Sequence, residues 1–336
     1  MNGDRRWMDY AARLGRRALG TTAENPPVGC IIVKEDRVLG LGWTQPGGRP
    51  HAETEALAMA GEAARGATAY VTLEPCAHHG RTPPCAGALV KAGLARVVTA
   101  VQDPDPRVSG GGHAILRAAG IAVETGIGAE AARRDLGGFL TRIEKKRPYV
   151  TLKLAISADN KIAARAGERT PITGAEVQAW VHLMRAQSDA ILIGMATVLA
   201  DDPELACRLP GLEGRSPKPF VLSSTRELPA ASKLAGSGAE VLRGGIAAAL
   251  ASLAARGINR LMVEGGARTA RGFIEAGIVD EIHLFRSPRE IGPQGVDALG
   301  GLRLDEVLTR FRLEQEEVLG PDRLTVYEAP TDNPSP

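Results

Sequence analysis

Three residues in the first third of the chain have side chains that bind metal: His51 in "GGRPHAETEAL", and Cys76 and Cys85 in "TLEPCAHHGRTPPC". One imidazole and two thiols supply three soft-to-borderline donors, the number a catalytic zinc takes while keeping its fourth position open to water. Cys85 stands at the start of a predicted helix, whose positive end lowers a thiol's pKa toward the thiolate that ligates metal. Glu53 lies two residues past His51, close to the donors without being needed as one. A carboxylate there can take a proton from an activated water and deliver it to a leaving group.

Each residue alone has a plainer reading. His51 would be a capping or core histidine, and the cysteines small buried hydrophobes. Their conjunction, each at an element end, matches the His-x-Glu then Pro-Cys and Cys pattern of zinc deaminases. The second cysteine follows the first by nine positions instead of three. His78 and His79, in the inserted stretch, read as loop polar groups or substrate contacts and not as further ligands.

These residues need a scaffold. Residues 28–42 read as two strands around a Lys-Glu-Asp turn. A helix over 51–64, a strand at 68–73, a helix at 85–92, a strand at 95–101, a helix near 111–119, a short strand "IAVET" and a helix at 129–145 follow. Strands alternating with helices predict an α/β domain with helices on both sheet faces. The basic run "EKKRPYV" with Pro148 marks a boundary, giving domains at 1–146 and 147–330 and a disordered tail at 331–336. Past it, strands are predicted at 149–157, 189–194, 219–222, 239–242, 259–263 and 279–285, and helices near 174–186, 246–256 and 267–276. "FRLEQEEVL" and "RLTVYEA" close the chain as an antiparallel pair. In "VEGGARTARGF" a Gly-Gly turn joins strand to helix, so backbone N–H groups can face a phosphate. Such turns are common without a ligand, and this is not the dinucleotide fingerprint of a Rossmann fold.

Composition excludes several classes. The 336 residues fit two domains, and a net charge of +2 gives no field for nucleic acid. Aromatics at 4% argue against a stacking platform for single strands. No apolar run reaches the roughly 20 residues of a membrane span. The arginine-rich N-terminus carries Asp4 and Asp9, which count against a transit peptide, and reads as the first helix. Four cysteines are too few for a disulfide scaffold and suit free thiols in a reducing cytoplasm.

The segments "NPPVGC", "HAETEAL", "YVTLEPCAHHGRTPPC" and "DPDPRVSGGG" resemble the deaminase half of the bifunctional riboflavin-biosynthesis deaminase/reductase family. The segments "YVTLKLAISADNKIA", "RAQSDAILIGMATVLADDPEL" and "VEGGARTARGFIEAGIVDEI" resemble its reductase half. The resemblance implies a cytidine-deaminase-like three-layer α/β/α domain followed by a dihydrofolate-reductase-like α/β domain. It implies Zn2+ and NADPH as cofactors, deamination of 2,5-diamino-6-(5-phosphoribosylamino)pyrimidin-4-one, and reduction of the ribosyl group to ribityl. The expected partners are this phosphoribosyl pyrimidine and further copies of the chain in a homo-oligomer, with neither nucleic acid nor membrane.

The same resemblance places Asn25 on the deaminase substrate, where the plainer reading of "ENPP" is a loop breaker. It places Ala155, Pro171, Thr197, Asp201, Gly265 and Gly266 on the cofactor. Lys153, Arg169, Arg185, Leu205, Arg208 and Glu264 fall on the reductase substrate, with Arg185 and Arg208 as a phosphate fork and Glu264 beside the reacting sugar. Without the resemblance, both arginines would read as solvated charges. Several positions depart from the family. Thr44 stands where many relatives carry histidine, Asn160 where glycine is common, Arg169 for a small hydroxyl residue, Pro171 for an aromatic and Ser223 for an aspartate. These departures raise a rival reading, a deaminase whose second domain has become a holding or dimerising module. A non-catalytic zinc staple would need four closed ligands, and three are placed. An RNA-editing deaminase would need a basic, aromatic-interleaved surface.

Overall fold

Helix α1 (Asn2–Arg16) buries Met8, Ala11, Ala12 and Leu14 along one stripe and leaves its arginines outside. This computed structural model describes residues 2–77 and 83–330, so His78, His79 and the tail at 331–336 lie outside the described residues. The chain divides into two compact units, Met1–Lys146 and Arg147–Pro336.

In the first unit α1 is followed by the hairpin β1 (Gly29–Lys34) and β2 (Arg37–Trp43), turned on Glu35 and Asp36. Then come α2 (Ala52–Ala60), β3 (Thr68–Leu73), α3 (Cys85–Ala92), β4 (Arg96–Val101), α4 (Gly111–Ala118), β5 (Ala122–Thr125) and α5 (Ala129–Lys145). One sheet runs β2-β1-β3-β4-β5, antiparallel up to β3 and parallel beyond it. Helices cover both faces. Gly29 and Gly42 let them in: a Cβ on Gly29 would fall 1.8 Å from the Ala11 carbonyl of α1, and one on Gly42 2.0 Å from the Ala52 carbonyl of α2. Gly42 pairs with Cys30, the neighbour of Gly29, so the two approaches are to opposite faces. Helix α5 joins α1, while α3 and α4 continue from α2, giving three layers.

The second unit contains β6 (Tyr149–Ile156), β7 (Lys161–Ala163), α6 (Ala175–Ala186), β8 (Ala190–Gly194), α7 (Met195–Asp201), β9 (Lys218–Leu222) and β10 (Glu240–Leu242). It continues with α8 (Gly245–Ala255), β11 (Arg260–Val263), α9 (Ala267–Glu275), β12 (Glu281–Arg286), β13 (Val296–Asp297), α10 (Leu304–Leu308), β14 (Arg312–Leu319) and β15 (Asp322–Glu328). Eight strands form the order β10-β9-β8-β11-β6-β12-β15-β14, parallel from β10 to β12 and antiparallel from there to the edge. Strands β7 and β13 pair separately. The sequence reading missed β7, β13, α7 and α10, all too short for a periodic signal.

Alternation along β6 sets the chemistry of each sheet face. Val150, Leu152, Leu154 and Ile156 join one core with Phe220, Phe273 and Ile282. Lys153 and Ala155 therefore point to the opposite face, where Val177, Val181 and Met184 of α6 pack with Ile191, Ile193 and Phe285. Among the described residues no helix is long and apolar enough to cross a membrane.

Candidate active sites

His51 caps α2 in an extended conformation, Cys76 follows the end of β3, and Cys85 is the first residue of α3. Two strand–helix junctions thus bring three donors together. His51 Nδ1 lies 3.7 Å from Cys76 Sγ and 3.4 Å from Cys85 Sγ, and all three ligand atoms lie within 4.8 Å of one another. Zinc bonds of about 2.05 Å to nitrogen and 2.3 Å to sulfur, at the tetrahedral angle, place such donors about 3.6 Å apart. The donor set therefore fits zinc. The Cys85 backbone N–H donates to Cys76 Sγ at 3.2 Å. Hydrogen bonds from Cys85, joined by the His51 imidazole, bring the Cys76 thiol down to about 4, while that same bond, with burial, pushes the Cys85 thiol up. The bond to Cys76 in turn raises His51.

Glu53, in the first turn of α2, is 4% exposed. Burial pushes its carboxyl up to about 7, against the pull of His51, which suits a group that must both take and release a proton. Asn25 packs on the turn leading to His51, since a Cβ on Gly48 would fall 2.0 Å from Asn25 Nδ2. Thr44 is 2% exposed; its hydroxyl donates to the Pro26 carbonyl at 2.9 Å and accepts from the Val28 amide at 3.0 Å. It pins the segment after Asn25 instead of facing a ligand.

Sequence reasoning missed Glu74. Its carboxylate accepts backbone N–H bonds from Asp103 at 3.3 Å, Gly110 at 3.0 Å, Gly112 at 2.9 Å and His113 at 3.2 Å. It thereby ties the 102–113 loop to the strand end that carries Cys76. Backbone partners leave little trace in sequence; the run Gly110-Gly111-Gly112 was the available signal. A Cβ on Gly112 would fall 2.0 Å from the Pro75 carbonyl.

In the second unit a cavity of about 1030 Å³ is lined by all twelve residues singled out for the reductase half. Lys153 and Ala155 come from β6, Arg185 from α6, Thr197 and Asp201 from α7, Leu205 and Arg208 from the segment after it. Glu264, Gly265 and Gly266 form the β11–α9 turn, and Arg169 and Pro171 come from the loop after β7. Gly266 N–H donates to Thr197 Oγ1 at 3.3 Å, closing that turn against α7.

Glu264 gathers two of the cations inside. Arg185 grips Glu264 through Nε at 2.7 Å and Nη2 at 3.1 Å, and its Nη1 donates to the Ala206 carbonyl at 3.0 Å. Lys153 Nζ lies 4.0 Å from Glu264. Burial pushes the Glu264 carboxyl up, but Arg185 and Lys153 outweigh it and leave the group below its ordinary value. Burial lowers Lys153 and raises Asp201. Arg185 and Arg208, expected as a fork, are engaged separately: Arg208 Nη1 lies 3.0 Å from Glu204. His182, another cavity residue, was not singled out from sequence.

Two departures from the family pattern have local accounts. Asn160 has φ 62°, a conformation asparagine tolerates better than most residues, and its Oδ1 accepts from Arg286 at 2.7 Å. Ser223 Oγ closes a turn with Arg226, donating to its carbonyl at 2.8 Å and accepting from its amide at 3.0 Å.

The model of the cytidine and deoxycytidylate deaminase zinc-binding region matches residues 1–101, which hold the three donors and Glu53. Fold and site together make the first half a zinc deaminase of that class, joined to a second, reductase-type α/β domain. The model of the RibD C-terminal domain matches residues 148–325. A riboflavin biosynthesis protein RibD from Aquifex aeolicus is 38% identical, covering 97% of this chain and 98% of its own. The solved Acinetobacter baumannii RibD superposes with a TM-score of 0.90 at 37% identity, over 98% of this chain and 99% of its own. A Thermotoga maritima structure, described as a diaminohydroxyphosphoribosylaminopyrimidine deaminase/5-amino-6-(5-phosphoribosylamino)uracil reductase, gives 0.88 at 33% identity, over 97% and 98%. The chain belongs to the RibD family of riboflavin-biosynthesis enzymes.

Proposed function

We infer that the protein performs two consecutive steps of riboflavin biosynthesis, on a pyrimidine carrying a phosphoribosylamino group. The ring amine of 2,5-diamino-6-(5-phosphoribosylamino)pyrimidin-4-one is removed by hydrolysis, and the ribosyl group is then reduced to ribityl. The observation that carries the first step is the His51, Cys76 and Cys85 donor set beside the buried Glu53.

His51, Cys76 and Cys85 would hold zinc, which would supply the Lewis acidity that makes a water nucleophilic. Glu53 takes the proton of that water and returns it to the departing amine, which leaves as ammonia. Asn25 supports the pyrimidine edge through its amide, which offers both a donor and an acceptor.

In the second unit the cavity residues would hold NADPH, which would supply the hydride for reduction of the sugar carbon. The Gly265-Gly266 turn would receive cofactor phosphate, and Thr197, Asp201, Ala155 and Pro171 would line the nicotinamide end. Arg208, with Arg169 and Leu205, faces the substrate's phosphorylated end. Arg185 is read as the residue that holds Glu264 charged and in place. Lys153, 4.0 Å from Glu264 at the cavity wall, is read with Arg208 as part of the hold on the substrate's phosphate. A second domain kept only as a holding module is disfavoured, because the relatives match across nearly the whole chain and Lys153, Arg185, Arg208 and Glu264 line one cavity.

The domains are assigned as deaminase over 1–146 and reductase over 147–330. A reducing cytoplasm fits the four free cysteines, and self-association is part of the reading, to be checked by sedimentation. The decisive experiment incubates purified protein with the diaminopyrimidine phosphate, with and without NADPH, and weighs the products. Without NADPH the deaminated mass is expected, and with it the deaminated and reduced mass. Unchanged substrate in both would overturn the assignment.

A further inference from the structure

Segment 205–208 forms part of the cavity wall, and its backbone is under strain. Leu205 is 3% exposed and has φ 58°, in the left-handed region that a side chain of this size rarely occupies. Something must hold the segment there. Two side chains of α6, His182 and Arg185, stand three residues apart and so share a helix face. Arg185 Nη1 donates to the Ala206 carbonyl at 3.0 Å, and His182 Nδ1 accepts the Arg208 amide at 3.2 Å. The Arg208 side chain lies at the cavity, more than half exposed.

We propose that His182 is a positioning residue of the reductase: its Nδ1 fixes the Arg208 backbone and so aims the Arg208 guanidinium at the substrate's phosphate. An imidazole accepts at Nδ1 only when that nitrogen carries no proton. Burial, with Arg185 and Arg208 close by, holds the ring below its ordinary pKa and favours this neutral form, against the Ala206 carbonyl and Glu264. The histidine would touch neither substrate nor cofactor; its contribution passes through Arg208. The proposal rests on the reading of Arg208 as a phosphate-holding residue.

The test uses the full-length enzyme, pre-deaminated substrate and NADPH oxidation followed by absorbance. Asparagine places Oδ1 where histidine has Nδ1, whereas glutamine's amide matches the Nε2 position. His182→Gln and His182→Leu are expected to raise the substrate KM about five- to twentyfold, the range of one lost hydrogen bond with its ordering effect. The KM for NADPH and the deaminase rate should stay level, and His182→Asn should restore most of the substrate KM. A lowered thermal midpoint with unchanged KM in His182→Gln would mark a purely structural histidine and overturn the proposal. So would a His182→Asn variant as poor as His182→Gln. Arg208→Ala checks the underlying reading: an unchanged KM there removes the role of Arg208. A raised KM in Arg208→Ala with none in His182→Gln overturns His182 alone.

Discussion

Glu53 and Glu264 are both carboxylates withdrawn from water, yet they end on opposite sides of the ordinary carboxylate pKa, because the cations beside Glu264 outweigh its burial and His51 does not outweigh that of Glu53. Glu53 faces His51 and the thiol pair, where burial wins and its proton is held near neutrality. Replacing it with glutamine should keep about one zinc per chain and lower deamination at least ~10²-fold, the low end for general acid–base catalysis; zinc loss on elemental analysis would make it a ligand. Cys76→Ser and Cys85→Ser should each lose most of the metal, and full retention in either would remove that residue from the donor set. A pH effect follows from Asp103, which burial pushes up to about 6. Its folded pKa lies above the unfolded value, so the native state binds the extra proton. Stability should therefore fall as pH rises from about 4 to 6, by up to about 2–3 kcal/mol. Urea unfolding of Asp103→Asn across that window should show a flatter profile; an identical slope would assign the dependence elsewhere.

Loops closed by backbone bonds matter as much as the strands they join. Glu74 satisfies four amides of the 102–113 segment with one carboxylate, so Glu74→Gln puts an NH2 group against N–H donors. That variant, or Gly112→Ala with its methyl against the Pro75 carbonyl, is expected to lose on the order of 2–4 kcal/mol. Urea midpoints measure it, and a change within error would show that the loop stands on other contacts. At this scale the sequence was partly legible. The strand and helix bounding Cys76 and Cys85 appear where alternation and proline placed them, and the helix after His51 runs as an α-helix over Ala52–Ala60 before a 3-10 turn ends it. The pairing of Arg185 with Glu264 was not legible. It joins α6 to the end of β11 across 79 residues, and no local pattern reports which donor a guanidinium spends. Helix α7, only seven residues long, gave no period to detect, although Thr197 and Asp201 lie on it.

Taken whole, the chain carries separate hydrophobic cores in its two units. A protein of residues 1–146 is expected to fold, bind zinc and deaminate without NADPH, measured by circular dichroism, metal content and product mass. Failure to fold would mean that the first core depends on the rest of the chain.

The strand order of the second sheet also bears on how the protein is made. Tyr149 on β6 pairs with Arg260, and Thr151 with Glu281, so the first strand of the second unit waits for partners near the end of the chain. The contacts of the first unit are complete by Lys146. A ribosome adding about 5–20 residues per second leaves roughly 7–27 s between those two points. During that interval the deaminase half can fold and take up its metal on a nascent chain whose reductase half still exposes apolar, unpaired β6. The order of folding then matches the order of the two reactions.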